Sequence, residues 1–501
     1  MNRITRRIAR WGLVAVGMLV APALARAEVG DYSAAQTAVN LFVPPRANAP
    51  FTAADSADIP IQVKANPPGF NDGFRPGSYY VWQQVSLDPS TGAKCADGSP
   101  YKIFVNRSPA TSNVLISEEL GGACWSYETC QSINPLGATS LPALLSQLGN
   151  LVTQFLTTGH IDGLTAINNS VTVVEPLVLA SGLGSTLMNR STLELRNKVQ
   201  AWTYVYLPYC TGDTLLGFGA TTYSSADGTK TMVYQHNGVR NTLAALVWIK
   251  NNLEKPGQML LTGQSAGGVG SVASYTFFRD KLRPTYGYLL DDAGPAFPAP
   301  LAASDTRYPS IRLHKKIAQV WHWNEPVPTV QGGTMTLMQW EERQLPGFTH
   351  TDFGTVNSAL SRKYPADRLA FVSANEDFVF SSYSYRDFYP ELADPTTQRA
   401  LTLAKWHTDV DNLTSALAPL PNFHYYVIGY RRALDSHTLT TIDAYNTSIE
   451  EQGLTLNGFI GNLTTQGAPP IKARERNYAA DYGRTNLLHD VSLLALQLAG
   501  L

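Results

Sequence analysis

The sequence predicts an α/β fold, a doubly wound and mostly parallel sheet with helices on both faces. Two observations carry this. From about residue 200 onward, runs of strand length alternate with helical runs of 12 to 20 residues, the pattern of parallel βαβ units. The chain is also large and apolar enough for a substantial core, with 501 residues, 44% hydrophobic and only 15% charged.

The elements follow in order. Residues 1–27 read as a signal peptide. Arg3, Arg6, Arg7 and Arg10 make a basic start, and "WGLVAVGMLVAPAL" is apolar but short for a bilayer span. Ala25 and Ala27 have the spacing of a cleavage site, so cleavage is expected after Ala27. Residues 28–501 are then expected to form a single catalytic domain of an exported protein, periplasmic or extracellular. The leader holds five arginines and no acid, so its removal takes the formal net charge from -1 to about −6. No basic or aromatic-basic patch points to nucleic acid, and no later run reaches 18 apolar residues, so no integral membrane segment is expected after cleavage.

Residues 28 to about 75, rich in Ala, Pro and Asn, read as an irregular leader on the surface. Strands are expected at "YYVWQQVSL" (Tyr79–Leu87), "YKIFV" (Tyr101–Val105) and "NVLISEEL" (Asn113–Leu120). The nearly uncharged block at about 131–197 reads either as a lid-like insertion or as core helices. Then "AWTYVYLPY" reads as a strand, and "VRNTLAALVWIKNNL" as an amphipathic helix with Val239, Leu243, Leu246 and Val247 at helical spacing. "QMLLTG", "YGYLLDDAG", "DRLAFVSAN" and "NFHYYVIGY" read as strands. "AGGVGSVASYTFFRD", "SIRLHKKIAQVW" and "TQRALTLAKWHTDVDNLTSAL" read as the helices between them.

One of these strand–helix junctions carries chemistry. Gly263-Gln264-Ser265-Ala266-Gly267 matches G-x-S-x-G, the sharp turn that presents a nucleophilic serine. Gly263 and Gly267 leave room for close backbone approach, and the helix start places the Ala266 N–H where an oxyanion would form. Such a serine needs a histidine base and an orienting acid, in the chain order Ser, acid, His. Asp377 follows one late strand, and Asp291 or Asp292 follows another. His437 follows the last strand of the alternation and is the favoured base. His489 is expected to pack in a terminal helix, His407 in a helix and His424 in a strand. Gly121 and Gly122, after "NVLISE", are expected to supply further oxyanion donors. Four cysteines in an exported chain suggest two disulfides. Cys124 and Cys130 are near enough to close a short loop, which leaves Cys95 for Cys210. No metal-ligand spacing is present, and neither a metal nor a cofactor is expected.

Several stretches resemble the pectin acetylesterase family, the Notum-like carboxylesterases included. They are "CADGSPYKIFV", "GGACWSYETC", "WTYVYLPYCTGD", "QHNGVRNTLAALVWI", "LTGQSAGG", "LLDDAGP", "AFVSANEDFVFSSY" and "DSHTLT", in family order over roughly residues 90–440. The resemblance implies an α/β-hydrolase with Ser265 as nucleophile, Asp377 rather than Asp292 as acid, His437 as base, and oxyanion donors from Gly121, Gly122 and Ala266. Leu120 stands where the family usually has a third glycine, and the 131–197 block is longer than expected. The expected activity is an exported serine esterase. An O-acetylated carbohydrate is the leading substrate by this resemblance. The apolar insertion favours longer acyl or polymeric polyester substrates. A silent binding protein or an amidase on the same fold are the competing readings.

Overall fold

The computed structural model describes residues 48–57, 59, 61, 63–132, 185–188, 198–328, 333–431, 436–441 and 448–476. The expected signal peptide, nearly all of the 131–197 block and His489 lie outside these residues.

Nine strands form one sheet: β1 (Trp82–Ser86), β2 (Lys102–Asn106), β3 (Val114–Glu118), β4 (Thr203–Leu207), β5 (Gln258–Gln264), β6 (Tyr286–Asp292), β7 (Arg368–Ala374), β8 (Phe423–Ile428) and β9 (Lys472–Arg474). Their spatial order is β1-β2-β4-β3-β5-β6-β7-β8-β9. Only β2 runs against its neighbours, pairing antiparallel with β1 and β4. Every pair from β4 to β9 is parallel. This is the strand order and sense of an α/β-hydrolase fold.

The central strands are buried on both faces, so their alternate residues enter two separate cores. On one face Ile116, Val205, Leu261, Leu289 and Phe371 join the larger cluster. On the other, Leu115, Tyr204, Leu260, Leu290 and Val372 pack with Leu456, Phe459 and Ile460. The helices that matter for the site are α1 (Gly238–Asn252), α2 (Ala266–Leu282), α3 (Ile311–Val320), α4 (Leu337–Gln344), α5 (Val356–Lys363), α6 (Phe378–Tyr385), α7 (Gln398–Leu417) and α8 (Leu456–Leu463). The strand and helix positions expected from about residue 200 to 430 agree with β4 to β8 and with α1, α2, α3 and α7 to within a few residues. The hairpin Gly219–Ser224 with Thr231–His236, and α4, α5, α6, α8 and β9, were not legible from periodicity. They are short, and they owe their shape to what they pack against.

In a parallel arrangement the carboxyl ends of β3 and β5 to β8 share one rim. The loops that leave this rim carry the residues singled out above. The amino-proximal part of the chain is tied to the sheet by the Cys95–Cys210 disulfide, and Cys124–Cys130 closes the loop after β3.

Glu341 on α4 is buried, and burial pushes its carboxyl up from about 4.5 to about 8, against a smaller opposing pull from Lys363 and with Asp280 adding repulsion. The folded chain therefore holds this proton up to about pH 8, whereas the unfolded chain loses it near 4.5. Unfolding then releases a proton across that window, so stability falls as pH rises through it. Glu341→Gln is expected to flatten the decline in urea midpoint between pH 5 and 8. An unchanged slope would mean that this carboxyl is charged in the folded chain.

Candidate active site

The turn between β5 and α2 is the tightest piece of backbone at the rim. Ser265 adopts φ 53 and ψ -116, a conformation that costs a non-glycine residue on the order of 1–3 kcal/mol. Its N–H donates to the Asp292 carbonyl oxygen at 2.7 Å, which fixes the turn against the end of β6. The flanking glycines are needed for space. A Cβ on Gly263 would collide with the Gly267 carbonyl, and one on Gly267 with the Glu118 carbonyl at the end of β3.

Asp377 follows β7 and caps α6. One carboxylate oxygen accepts from the Phe380 N–H at 2.9 Å, and the other faces His437 Nδ1 at 2.8 Å. Both side chains are buried, with Asp377 at 0% and His437 at 4% exposure, so water does not compete for this pair. The helix cap holds the carboxylate, and the carboxylate holds the imidazole in one orientation.

His437 reaches the serine turn through Asp292. The Asp292 carboxylate accepts from the Leu439 N–H (2.7 Å), the Thr440 N–H (2.6 Å) and the Thr440 hydroxyl (2.6 Å). Gln264 Nε2 donates to Thr440 Oγ1 at 3.2 Å. The segment carrying His437 is thus tied to the two residues on either side of the turn in space, Asp292 and Gln264. Ser436 and Thr438, which flank His437, both have left-handed backbones at φ 65 and φ 58. Among the described residues the Ser265 hydroxyl makes no hydrogen bond to His437. Catalytic hydrogen bonds often tighten only around substrate.

Asp292 is therefore not the partner of His437. Burial pushes its carboxyl up to about 6, against the donors from Leu439 and Thr440. Sequence order alone left Asp291, Asp292 and Asp377 open, because it cannot show which carboxylate points at the imidazole. Asp291 instead accepts from the Gly294 N–H at 2.9 Å.

The loop after β3 comes back to the same place. Gly122 has φ 68, and a Cβ there would press on the Tyr383 hydroxyl. Tyr209 Oη donates to the Gly122 carbonyl at 3.0 Å and accepts from the Thr214 N–H at 2.7 Å. Gly121 lies flat against the Tyr209 ring, with no space for a Cβ. Cys124 N–H donates to Gly212 O at 2.9 Å, and Trp321 Nε1–H donates to Cys124 O at 2.9 Å. The Gly122 carbonyl is thus drawn back into the protein. A planar peptide directs its N–H the opposite way, and here that N–H belongs to Ala123. Gly122, Ala123 and Ala266 all border the same cleft as Ser265, and Gly121 does not. Neither the Ala123 nor the Ala266 N–H is spent on another acceptor among the described residues. Sequence reasoning missed Ala123, Tyr209 and the tethering role of Asp292. The first could have been read from "GGACW", whereas the other two act across distant segments.

The cleft is walled mainly by apolar and aromatic side chains, among them Trp125, Phe297, Ile317, Trp323 and Phe380. Two other histidines weighed from the sequence, His407 and His424, do not border this cleft. His407 pairs with Glu376 at 2.8 Å, and His424 is buried in β8 and accepts from the Ile471 N–H at 3.1 Å. Cys124, Cys130 and His236 are close enough to share a metal, but the two sulfurs are bonded to each other.

The strand order and the strained serine turn define an α/β-hydrolase fold. No known family profile matches the chain, and no curated protein matches it in sequence. Among solved structures, two crystal forms of the Wnt deacylase Notum from Drosophila are similar to it, at 14% identity and a TM-score of 0.44 in both cases. The alignments cover 77% and 79% of this chain and 94% and 96% of those chains.

Two outcomes are expected from this geometry. Asp377→Asn should lower kcat for a chromogenic ester by about 10⁴-fold with little change in KM, because the imidazole loses its fixed tautomer. Tyr209→Phe should lower kcat by about 10-fold, since the Gly122 carbonyl is released and the neighbouring donor loses its aim. Steady-state kinetics with matched thermal midpoints separates both effects from unfolding.

Proposed function

We propose that the protein is an exported serine carboxylesterase. One observation carries the reading: the buried Asp377–His437 pair, 2.8 Å apart, is tethered through Asp292 to the strained turn that presents Ser265. In this reading Ser265 Oγ attacks the ester carbonyl while His437 Nε2 takes its proton, and Asp377 stabilises the imidazolium that forms. The oxyanion of the tetrahedral intermediate faces the Ala123 and Ala266 N–H groups, with Gly122 beside them. His437 then gives the proton to the departing alcohol, which leaves an acyl-enzyme. Water, deprotonated by His437, attacks the acyl carbon, and the acid leaves as Ser265 recovers its proton. No metal or cofactor enters these steps. The two disulfides fit an oxidising compartment, which supports export.

The acyl side of the cleft bears on the substrate. An acetyl group would leave most of the aromatic walls of the cleft unused. Each buried methylene contributes about 0.8 kcal/mol, so a wall of this kind rewards a longer chain. The cleft therefore favours medium or long acyl esters, a polyester included, over the O-acetylated carbohydrate expected from sequence.

A fluorophosphonate probe is expected to label the chain at Ser265 and to leave Ser265→Ala unlabelled. A folded wild type that stays unlabelled would leave a binding protein as the better reading. Across nitrophenyl esters, kcat/KM is expected to rise by about 100-fold or more from acetyl to octanoyl, in proportion to the apolar surface buried. An acetyl optimum would restore the carbohydrate reading.

A further inference from the structure

The wall of the cleft formed by α3 is not uniformly apolar. The buried face of this helix consists of Ile311, His314, Ile317 and Val320, three aliphatic side chains and one imidazole at helical spacing. His314 borders the cleft together with Leu313 and Ile317, and its ring centroid lies 6.4 Å from that of Phe353. It is 9% exposed. Among the described residues nothing hydrogen-bonds to its ring nitrogens.

The neighbouring polar groups do not supply the missing partner. The Ser384 hydroxyl donates to the Phe380 carbonyl at 3.0 Å, and the Ser310 N–H donates to Asp409 at 2.8 Å. The Thr214 hydroxyl is also without a partner, but its backbone is held by Tyr209 at the oxyanion end of the cleft. Ser310 Oγ and Trp323 Nε1, at the two ends of α3, also border the cleft without a hydrogen-bond partner, and His314 lies between them, midway along the wall.

Resting on the esterase reading, we propose that His314 reads a hydroxyl group on the acyl chain, so that the preferred substrates are esters of hydroxylated medium-chain acids. A hydroxyl both donates and accepts, as a neutral imidazole does, so one pair of atoms satisfies both sides. Burial pushes the imidazole down to about 4, so it carries no charge near neutral pH and offers no attraction to a carboxylate. A plain hydrocarbon chain would fill the same space and leave His314 unsatisfied. A site built to bond a hydroxyl discriminates against the analogue that lacks it, for this reason.

The experiment compares nitrophenyl octanoate with a series of nitrophenyl hydroxyoctanoates that differ in hydroxyl position. Wild type should prefer at least one hydroxy isomer over octanoate by about 10-fold in kcat/KM. In His314→Leu that ratio should fall to about 1, and in His314→Gln, which keeps a donor and an acceptor, much of it should return. A wild type that hydrolyses octanoate but prefers no hydroxy isomer overturns the role of His314 and leaves the esterase reading standing. A preference that survives in His314→Leu overturns it as well. If no ester is turned over, binding of methyl octanoate and its hydroxy isomers to Ser265→Ala by calorimetry decides the same question. Equal affinities there would sink the proposal independently of the catalytic reading.

Discussion

At the centre of the rim, three backbone segments touch without side chains between them. The carbonyl of Glu118 at the end of β3 lies against Gly267, and Gly267 in turn lies against Gly263. Strand pairing places Glu118 directly opposite Gly263. This contact lets β5 turn sharply into α2 and holds Ser265 at φ 53. It also fixes where the chain leaves β3, which is the start of the loop through Gly122 and Ala123. The turn that presents the hydroxyl and the loop that presents N–H groups are therefore set by one steric constraint, not by two separate ones. Below it, Glu118 is fully buried, its carboxyl pushed up to about 8 by burial and bonded by the Ser274 hydroxyl at 2.8 Å. A neutral carboxyl in this position keeps a bare charge out of the core beneath the turn.

The imidazole depends on a second layer of contacts. Asp377 orients the ring, but the position of the segment that carries it comes from Asp292. That residue uses its carbonyl for the Ser265 turn and its carboxylate for Leu439 and Thr440. One residue at the end of β6 thus couples the Ser265 turn to the segment that carries His437. Around the other side, Tyr209 links the Gly122 carbonyl to Thr214, and the two disulfides brace the same neighbourhood through Cys124 and Cys210. Preorganisation of this kind keeps dipoles aimed before substrate arrives, so that little is spent on reorganising them during the reaction.

The cleft gives this machinery a direction. Its walls come from the loop after β3, from α2, from α3 and from α6, elements far apart in sequence. Aromatic rings that line the cleft meet edge to face or tilted, as Trp321 does with Trp323 at 5.9 Å and Trp323 with Phe353 at 5.6 Å. Such a wall is apolar, and in the proposed reading it suits an acyl chain better than a sugar ring. His314 on the same wall adds a polar contact, which in the proposed reading selects among acyl chains that the apolar walls alone would treat alike.

The sequence by itself determined the parallel core and the serine turn. Both depend on local patterns: strand-length and helix-length runs in alternation, and glycines two residues either side of a serine. Local spacing also sufficed for the pairing of Cys124 with Cys130, which are six residues apart. Strand order left open which aspartate faces His437; the family resemblance favoured Asp377, and the tertiary structure points that carboxylate at the imidazole, whereas Asp292 bonds Leu439 and Thr440. The tertiary structure alone showed that Ala123 borders the cleft and Gly121 does not, since that rests on Tyr209, 88 positions away from Gly121 in the chain. The short helices α4, α5 and α6 were equally hidden, since each gains its stability from the partners it packs against rather than from its own few residues.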